Sequence, residues 1–204
     1  EQGIGDIIQF TRFISIVIDK AAQVSLFCPD RLKRLLKNFS GSLNLVGDVK
    51  EVAEVDFNAP LMSLPYLLKQ YRVFNKTPYL SAEPSLVSKW KKILGKRIKP
   101  RIGIAWQGNP EYEMDYKRSI ELSKLEPLIL DDSYDFISLQ KGFGSEKLSA
   151  YEGRITELGD DFDKVDAFVD TAAIMQHLDL IITSDTVIPH LAGAMGIRVW
   201  LLLP

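Results

Sequence analysis

From residue 101 onward, short apolar runs rich in β-branched residues alternate with stretches of helical periodicity. No other feature of the chain constrains its fold as strongly. The spacing predicts strands over 101–106, 136–139, 180–183 and 199–203, with helices over 145–151, 171–178 and 187–195 between them. Strands that each need a helix before the next can pair are parallel strands, so the expected class is α/β with a doubly wound sheet. The first half repeats the pattern less regularly. Apolar residues from Ile7 to Ile18 recur at helical spacing after the glycine loop Gly3-Ile4-Gly5-Asp6. A strand is expected over 23–28, a helix capped by Asp30 over 30–38, and a short strand over 42–46. Residues 55–80 are broken by Pro60, Pro65 and Pro78 and predict short strands, turns and a brief helix. Residues 83–94 form an amphipathic pattern that Gly95 ends.

The polar run Lys96-Arg97-Ile98-Lys99-Pro100 predicts a boundary between an N-terminal Rossmann-like domain, 1–97, and a C-terminal one, 98–204. Two such halves enclose a cleft lined by the carboxyl ends of their strands, and their mutual orientation is expected to be loose. A glycine loop of this kind normally follows a strand, and none precedes it here. The last residues, Leu201-Leu202-Leu203-Pro204, lie in or just after a strand, so the fold is expected to be truncated at both ends.

Charge removes one class of partner. Lys and Arg number 25 against 27 Asp and Glu, so no overall field favours nucleic acid and any anion site must be local. The single cysteine, Cys28, sits in an apolar run and supports neither an internal disulfide nor a cysteine zinc site, which favours a reducing compartment. Asp6, Gln9, Arg12 and Asp19 interrupt the apolar residues near the N-terminus, which excludes a signal peptide or membrane span. A cytoplasmic location is expected. The acidic stretch Asp160, Asp161, Asp163, Asp166 and Asp170 lacks the glycine and final glutamate of a calcium loop. It reads as a solvated loop in which Asp170 caps the next helix, whose N-terminus is a secondary candidate for facing a nucleotide. No metal site is expected.

The chemistry concentrates where the apolar strand over 180–183 runs into Ser184, Asp185 and Thr186 and then a helix. The first amides of a helix lack partners within it, and with the helix dipole they suit a phosphate or diphosphate. Pro189 fits the first turn, which puts the cap at Asp185 or Thr186; Gly193 leaves room for close helix packing and Gly196 ends the helix. Plain helix capping by these residues, with His190 packed on the first turn, accounts for the same pattern. Between Gly108 and Arg118 a polar loop leaves the first strand of the second half, where Gln107, Asn109 and Arg118 would meet the cleft.

Together, Asp185-Thr186 with His190 and Ala192-Gly193-Ala194, Ser138-Leu139-Gln140-Lys141-Gly142, Trp106-Gln107-Gly108-Asn109 and Gln2-Gly3-Ile4-Gly5-Asp6 carry a resemblance. They resemble the glycosyltransferase domains that follow tetratricopeptide repeats in bacterial proteins. These are similar to lipopolysaccharide heptosyltransferases and, more remotely, to O-linked N-acetylglucosamine transferases. The resemblance implies the GT-B fold, two facing Rossmann-like domains, and a hexosyl- or heptosyltransferase that uses a nucleotide diphosphate-sugar donor, a glycan or protein acceptor, and no cofactor or metal. Tetratricopeptide repeats upstream of residue 1 would fit it. It implies Asp6 as acceptor-side general base, with Gly3 and Gly5 beside it, Lys141 as a phosphate-neutralising cation, and Ser184, Asp185, Thr186, Val187 and His190 at the nucleotide. Heptosyltransferases have glycine after Asp-Thr, where this chain has Val187.

Sugar transfer builds charge on a leaving diphosphate and removes a proton from an acceptor hydroxyl, so a cation, a helix N-terminus and a carboxylate suffice. Two other functions fit the same architecture: a nucleotide-sugar epimerase, and a non-catalytic sugar-nucleotide or protein-binding module. A hydride-transfer enzyme fits poorly, since Gly3-Ile4-Gly5-Asp6 does not continue as the dinucleotide fingerprint.

Overall fold

The computed structural model describes residues 3–39, 42–52, 54–70, 77–159 and 161–203. Gln2, Asp160 and Pro204, named above, lie outside these residues, as do parts of the 55–80 segment. The first half opens with α1 (Ile4–Thr11) and α2 (Ile14–Ile18), where periodicity predicted one helix. The break has a local cause. The Thr11 hydroxyl donates back to the Ile7 carbonyl at 2.5 Å and the Arg12 guanidinium takes the Gln9 carbonyl at 2.8 Å. The Phe13 amide then bonds Phe10 instead, three residues back, and the helix bends. Next come β1 (Ser25–Phe27), α3 (Asp30–Leu36) and β2 (Asn44–Val46), with β1 and β2 paired in parallel as the pattern implied. The cap of α3 is Pro29; Asp30 instead forms an ion pair with Lys33 at 2.8 Å. The proline-broken segment contains a 3₁₀ turn at Leu61–Ser63 and α4 (Leu64–Leu67), and α5 (Pro84–Leu94) ends at Gly95, whose φ of +67° glycine tolerates.

The second half holds five parallel strands: β3 (Arg101–Ala105), β4 (Asp135–Ser138), β5 (Ile155–Thr156), β6 (Leu180–Ser184) and β7 (Val199–Leu202). Their spatial order is β5-β4-β3-β6-β7. The chain therefore winds outward from β3 through β4 to β5, then returns to the other side of β3 for β6 and β7. The order reverses between β3 and β6, and the carboxyl ends of those two strands flank the crevice where doubly wound sheets bind ligands. β3 is buried along its whole length, as a central strand covered on both faces must be. Between β3 and β4 lie α6 (Asp115–Arg118) and α7 (Glu126–Ile129), which the pattern did not announce, and residues 145–151 are a 3₁₀ helix. Helices α8 (Val169–Met175) and α9 (Val187–Ala194) occupy two of the predicted positions.

Two apolar clusters sandwich this sheet. One joins Ile102, Ile104, Trp106, Phe136 and Ile182 to Leu122, Leu125, Ile129 and Leu148. The other gathers Ile7 and Ile8 of α1, Leu32, Leu35 and Leu36 of α3 and Trp90 of α5 with Ile174, Ile181 and Leu191. Each such side chain contributes about 1.5–3 kcal/mol on burial, so this cluster is a main source of cohesion. Its members come from both sides of the 96–100 run. The Ala194 carbonyl, at the end of α9, accepts the amides of Tyr79 and Leu80 at 2.9 and 3.1 Å, and the Tyr79 hydroxyl donates to Ile8 at 3.0 Å. α9 is thus fixed between α1 and the chain that leads to α5. On the outer edge of the sheet, β7 leaves Trp200 57% exposed and Leu201 exposed as well.

Candidate functional site

β6 carries Thr183 and Ser184, both fully buried, to the start of α9. Thr186 is the cap: its backbone is extended, and its hydroxyl accepts the Ile188 amide at 3.4 Å, a long bond for this role. Ser184 differs. Its hydroxyl is buried and has no partner among the described residues. A buried hydroxyl left without a partner costs stability, and Trp106 Nε1 shares that condition among the described residues. Val187 occupies the first helical position, and Gly196, at φ +69°, ends the helix as expected. Gly193 does not serve packing: a Cβ there would meet nothing within 4 Å.

The glycine loop of α1 closes over this end. A Cβ on Gly5 would lie 2.9 Å from His190 Cδ2, so a side chain there would force the imidazole to shift, while the Val187 Cα at 3.7 Å is in ordinary contact distance. The Asp6 carboxylate folds back over its own loop, with Oδ2 2.5 Å from where a Gly3 Cβ would stand. Burial pushes the His190 imidazole below its ordinary value, and the nearby Asp185 and Asp6 carboxylates pull in the other direction. Asp6, Asp185, Val187 and His190 therefore share one locality, although the chain separates Asp6 from the others by most of its length.

At the end of β3 the structure adds Gln140 and Asp115, which the pattern did not single out, beside Asn109 and Arg118, which it did. Gln140 is buried, and its side-chain oxygen accepts the amides of Trp106 and Gln107 at 3.0 Å each. Its side-chain nitrogen donates to the carbonyls of Gln107 at 2.9 Å and Phe143 at 2.7 Å. It ties the loop after β3 to the loop after β4, and only its place in the Ser138–Gly142 motif hinted at this. Asp115 is 4% exposed and binds Arg118 Nε through Oδ1 at 2.8 Å. Its Oδ2 accepts the Ser119 hydroxyl at 2.6 Å, and Ser119 Oγ in turn accepts the Gly108 amide at 3.0 Å. Asn109 caps a local turn, its side-chain oxygen accepting the Glu111 amide at 3.0 Å.

Lys141 stands elsewhere. Its ammonium donates to the Phe162 carbonyl and lies 4.7 Å from the centre of the Phe162 ring. It borders a cavity of about 220 Å³ at the ends of β4 and β5, with Gln140, Ser145, Glu146, Glu157 and Leu158 among its walls. A larger hollow of about 450 Å³, near Leu178, Asp179, Gly196 and Arg198, lies at the opposite edge of the sheet and away from the strand ends that carry these groups.

The acidic loop before α8 is structural. Asp163 Oδ1 accepts the amides of Asp170 and Thr171 at 2.7 and 3.3 Å, and its Oδ2 accepts the Thr171 hydroxyl. Asp170, expected to cap this helix, lies inside its first turn and accepts the Trp90 indole at 2.6 Å and the Asp163 amide at 3.1 Å. The expected nucleotide-facing end of α8 is thus filled by the chain's own carboxylate. Burial raises the Asp163 pKa above its ordinary value despite these donors.

The architecture is that of the GT-B class, an α/β fold of parallel Rossmann-like sheets. Two solved structures share it. The glycosyl transferase family 9 protein from Veillonella parvula DSM 2008 matches with a TM-score of 0.71 and 12% identity, over 98% of this chain and 78% of that one. The E. coli ADP-heptose lps heptosyltransferase II matches with a TM-score of 0.66 and 12% identity, over 100% of this chain and 82% of that one. No protein-family model and no curated protein matches the sequence. At 12% identity the likeness is one of fold. No described helix is long and apolar enough to cross a membrane.

Proposed function

We propose that the protein transfers a sugar from a nucleotide diphosphate-sugar to an acceptor hydroxyl. The observation that carries this reading is the junction of β6 and α9, where a buried, unpartnered Ser184 hydroxyl adjoins a weakly capped helix N-terminus under a glycine loop that bears a carboxylate. The amides of α9 and the Ser184 hydroxyl would donate hydrogen bonds to the departing diphosphate as its charge develops. Lys141 would add a cation by exchanging the Phe162 carbonyl for a phosphate oxygen. Asp6 would take the proton of the acceptor hydroxyl, and the close seat of Gly5 on His190 would hold it near the donor side.

Product analysis with a panel of ADP-, UDP- and GDP-linked sugars, ADP-heptose among them, tests the proposal. A glycosylated acceptor with a released nucleoside diphosphate supports transfer. A sugar isomerised on its nucleotide would establish an epimerase, and nucleotide binding without turnover a binding module; either outcome overturns the proposal.

A further inference from the structure

Arg118 and Asp115 sit three residues apart on a helix of one turn, a spacing that on a surface forms ordinary ion pairs worth little. Here the carboxylate is 4% exposed. Each of its oxygens is used, Oδ1 on Arg118 Nε and Oδ2 on the Ser119 hydroxyl that also receives the Gly108 amide. The pair is therefore tied to the backbone that continues β3 into the crevice between β3 and β6.

Two further contacts fix the guanidinium. The Tyr112 ring centre lies 4.9 Å from its central carbon. A Cβ on Gly108 would stand 2.1 Å from Asp115 Oδ1 and 2.8 Å from Arg118 Nη2, so only glycine leaves room for the pair. Arginine–carboxylate pairs are frequently bidentate. This one uses Nε, and among the described residues the two Nη atoms make no hydrogen bond. The geometry uses a buried carboxylate to orient a guanidinium whose Nη donors have no partner among the described residues.

We infer that Asp115 is a positioning residue, which holds Arg118 over Gly108 as a cation that meets the donor's diphosphate. The inference rests on the diphosphate reading above and deepens it by naming the residue pair.

Calorimetry at fixed salt tests it, with inorganic pyrophosphate and whichever of ADP, UDP and GDP binds the unaltered chain most tightly. Arg118→Ala should weaken both ligands by roughly 10–100-fold, as loss of a charge-assisted pair does. Asp115→Asn, which keeps shape and removes charge, should weaken them by roughly 3–10-fold, and by less than about twofold when Arg118 is already Ala. Asp115→Glu should recover part of the affinity. A merely structural Asp115 would weaken binding equally in both backgrounds, and that result overturns the inference while leaving the diphosphate reading intact. If Asp115→Asn does not fold, Gly108→Ala displaces the pair with both charges present and should show the same loss and the same dependence on Arg118. Failure of the unaltered chain to bind any of these ligands would overturn the diphosphate reading and this assignment together.

Discussion

Helices α8 and α9 both begin beyond the carboxyl end of a parallel strand, at the same edge of one sheet, yet their first turns are finished in different ways. α8 receives Asp163, which satisfies two amides and a hydroxyl, and Asp170 returns the favour by accepting the Asp163 amide. α9 receives only the Thr186 hydroxyl at 3.4 Å, with Ser184 orphaned beneath it. The fold supplies an electropositive helix end in both places. What differs is whether a carboxylate of the chain bonds the first amides directly: Asp163 does so at α8, whereas Asp185 and Asp6 lie near the start of α9 without a described bond to its amides.

The largest expected effect lies at the open end. Asp6→Asn should lower turnover by about 10²–10⁴-fold, the range for loss of a general base, while donor affinity stays close to that of the unaltered chain. An unchanged rate would reduce Asp6 to a residue of its own helix turn. At the sealed end, Asp163→Gly keeps the left-handed backbone at φ +49° without strain but strips three donors of their acceptor. It should cost about 2–3 kcal/mol in urea unfolding and leave nucleotide affinity alone. A matching loss of affinity would erase the distinction between the two helices.

Smaller effects sharpen the contrast. Lys141→Glu should weaken nucleoside diphosphate binding by about tenfold in calorimetry, in line with one charge-assisted bond; an unaltered affinity removes Lys141 from the phosphate site. Ser184→Ala should weaken the same ligand by roughly 3–10-fold without loss of stability, because the hydroxyl has no partner to lose among the described residues. A clear drop in thermal stability would show that Ser184 is structural after all. The smallest effect is a slope. Burial holds His190 neutral in the native state below its ordinary value of 6.5, so as pH falls through 6.5 the unfolded chain takes up the proton first and stability declines. His190→Asn should flatten that decline, and an identical slope in the variant would assign it to other groups.

The sheet was legible in the sequence because short apolar runs mark β3, β4, β6 and β7, and the start of α9 was legible because hydroxyl and carboxylate residues interrupt such a run. β5 escaped because two residues carry no period, and α6 and α7 because four-residue helices show no repeated face. Side-chain partnerships escaped for another reason. Asp163 and Asp170 look alike in a polar stretch, and only folding decides that Asp163 fills the helix end while Asp170 turns to Trp90. Gln140 likewise acquires its meaning from a loop more than thirty residues away, at Trp106 and Gln107. The likeness of motifs drew attention to Lys141; its seat on Phe162 belongs to three dimensions.

The apolar cluster shared by α1, α3, α5, α8 and α9 has a consequence for how the chain behaves as material. A two-stranded sheet such as β1 with β2 is marginal in water by itself, so the first half depends on borrowed surface. Heat or denaturant should therefore melt the chain as one cooperative unit rather than shedding its first half early. The glycine loop and the α9 terminus would persist or vanish together, so the residues that face each other there would never be present as an assembled half.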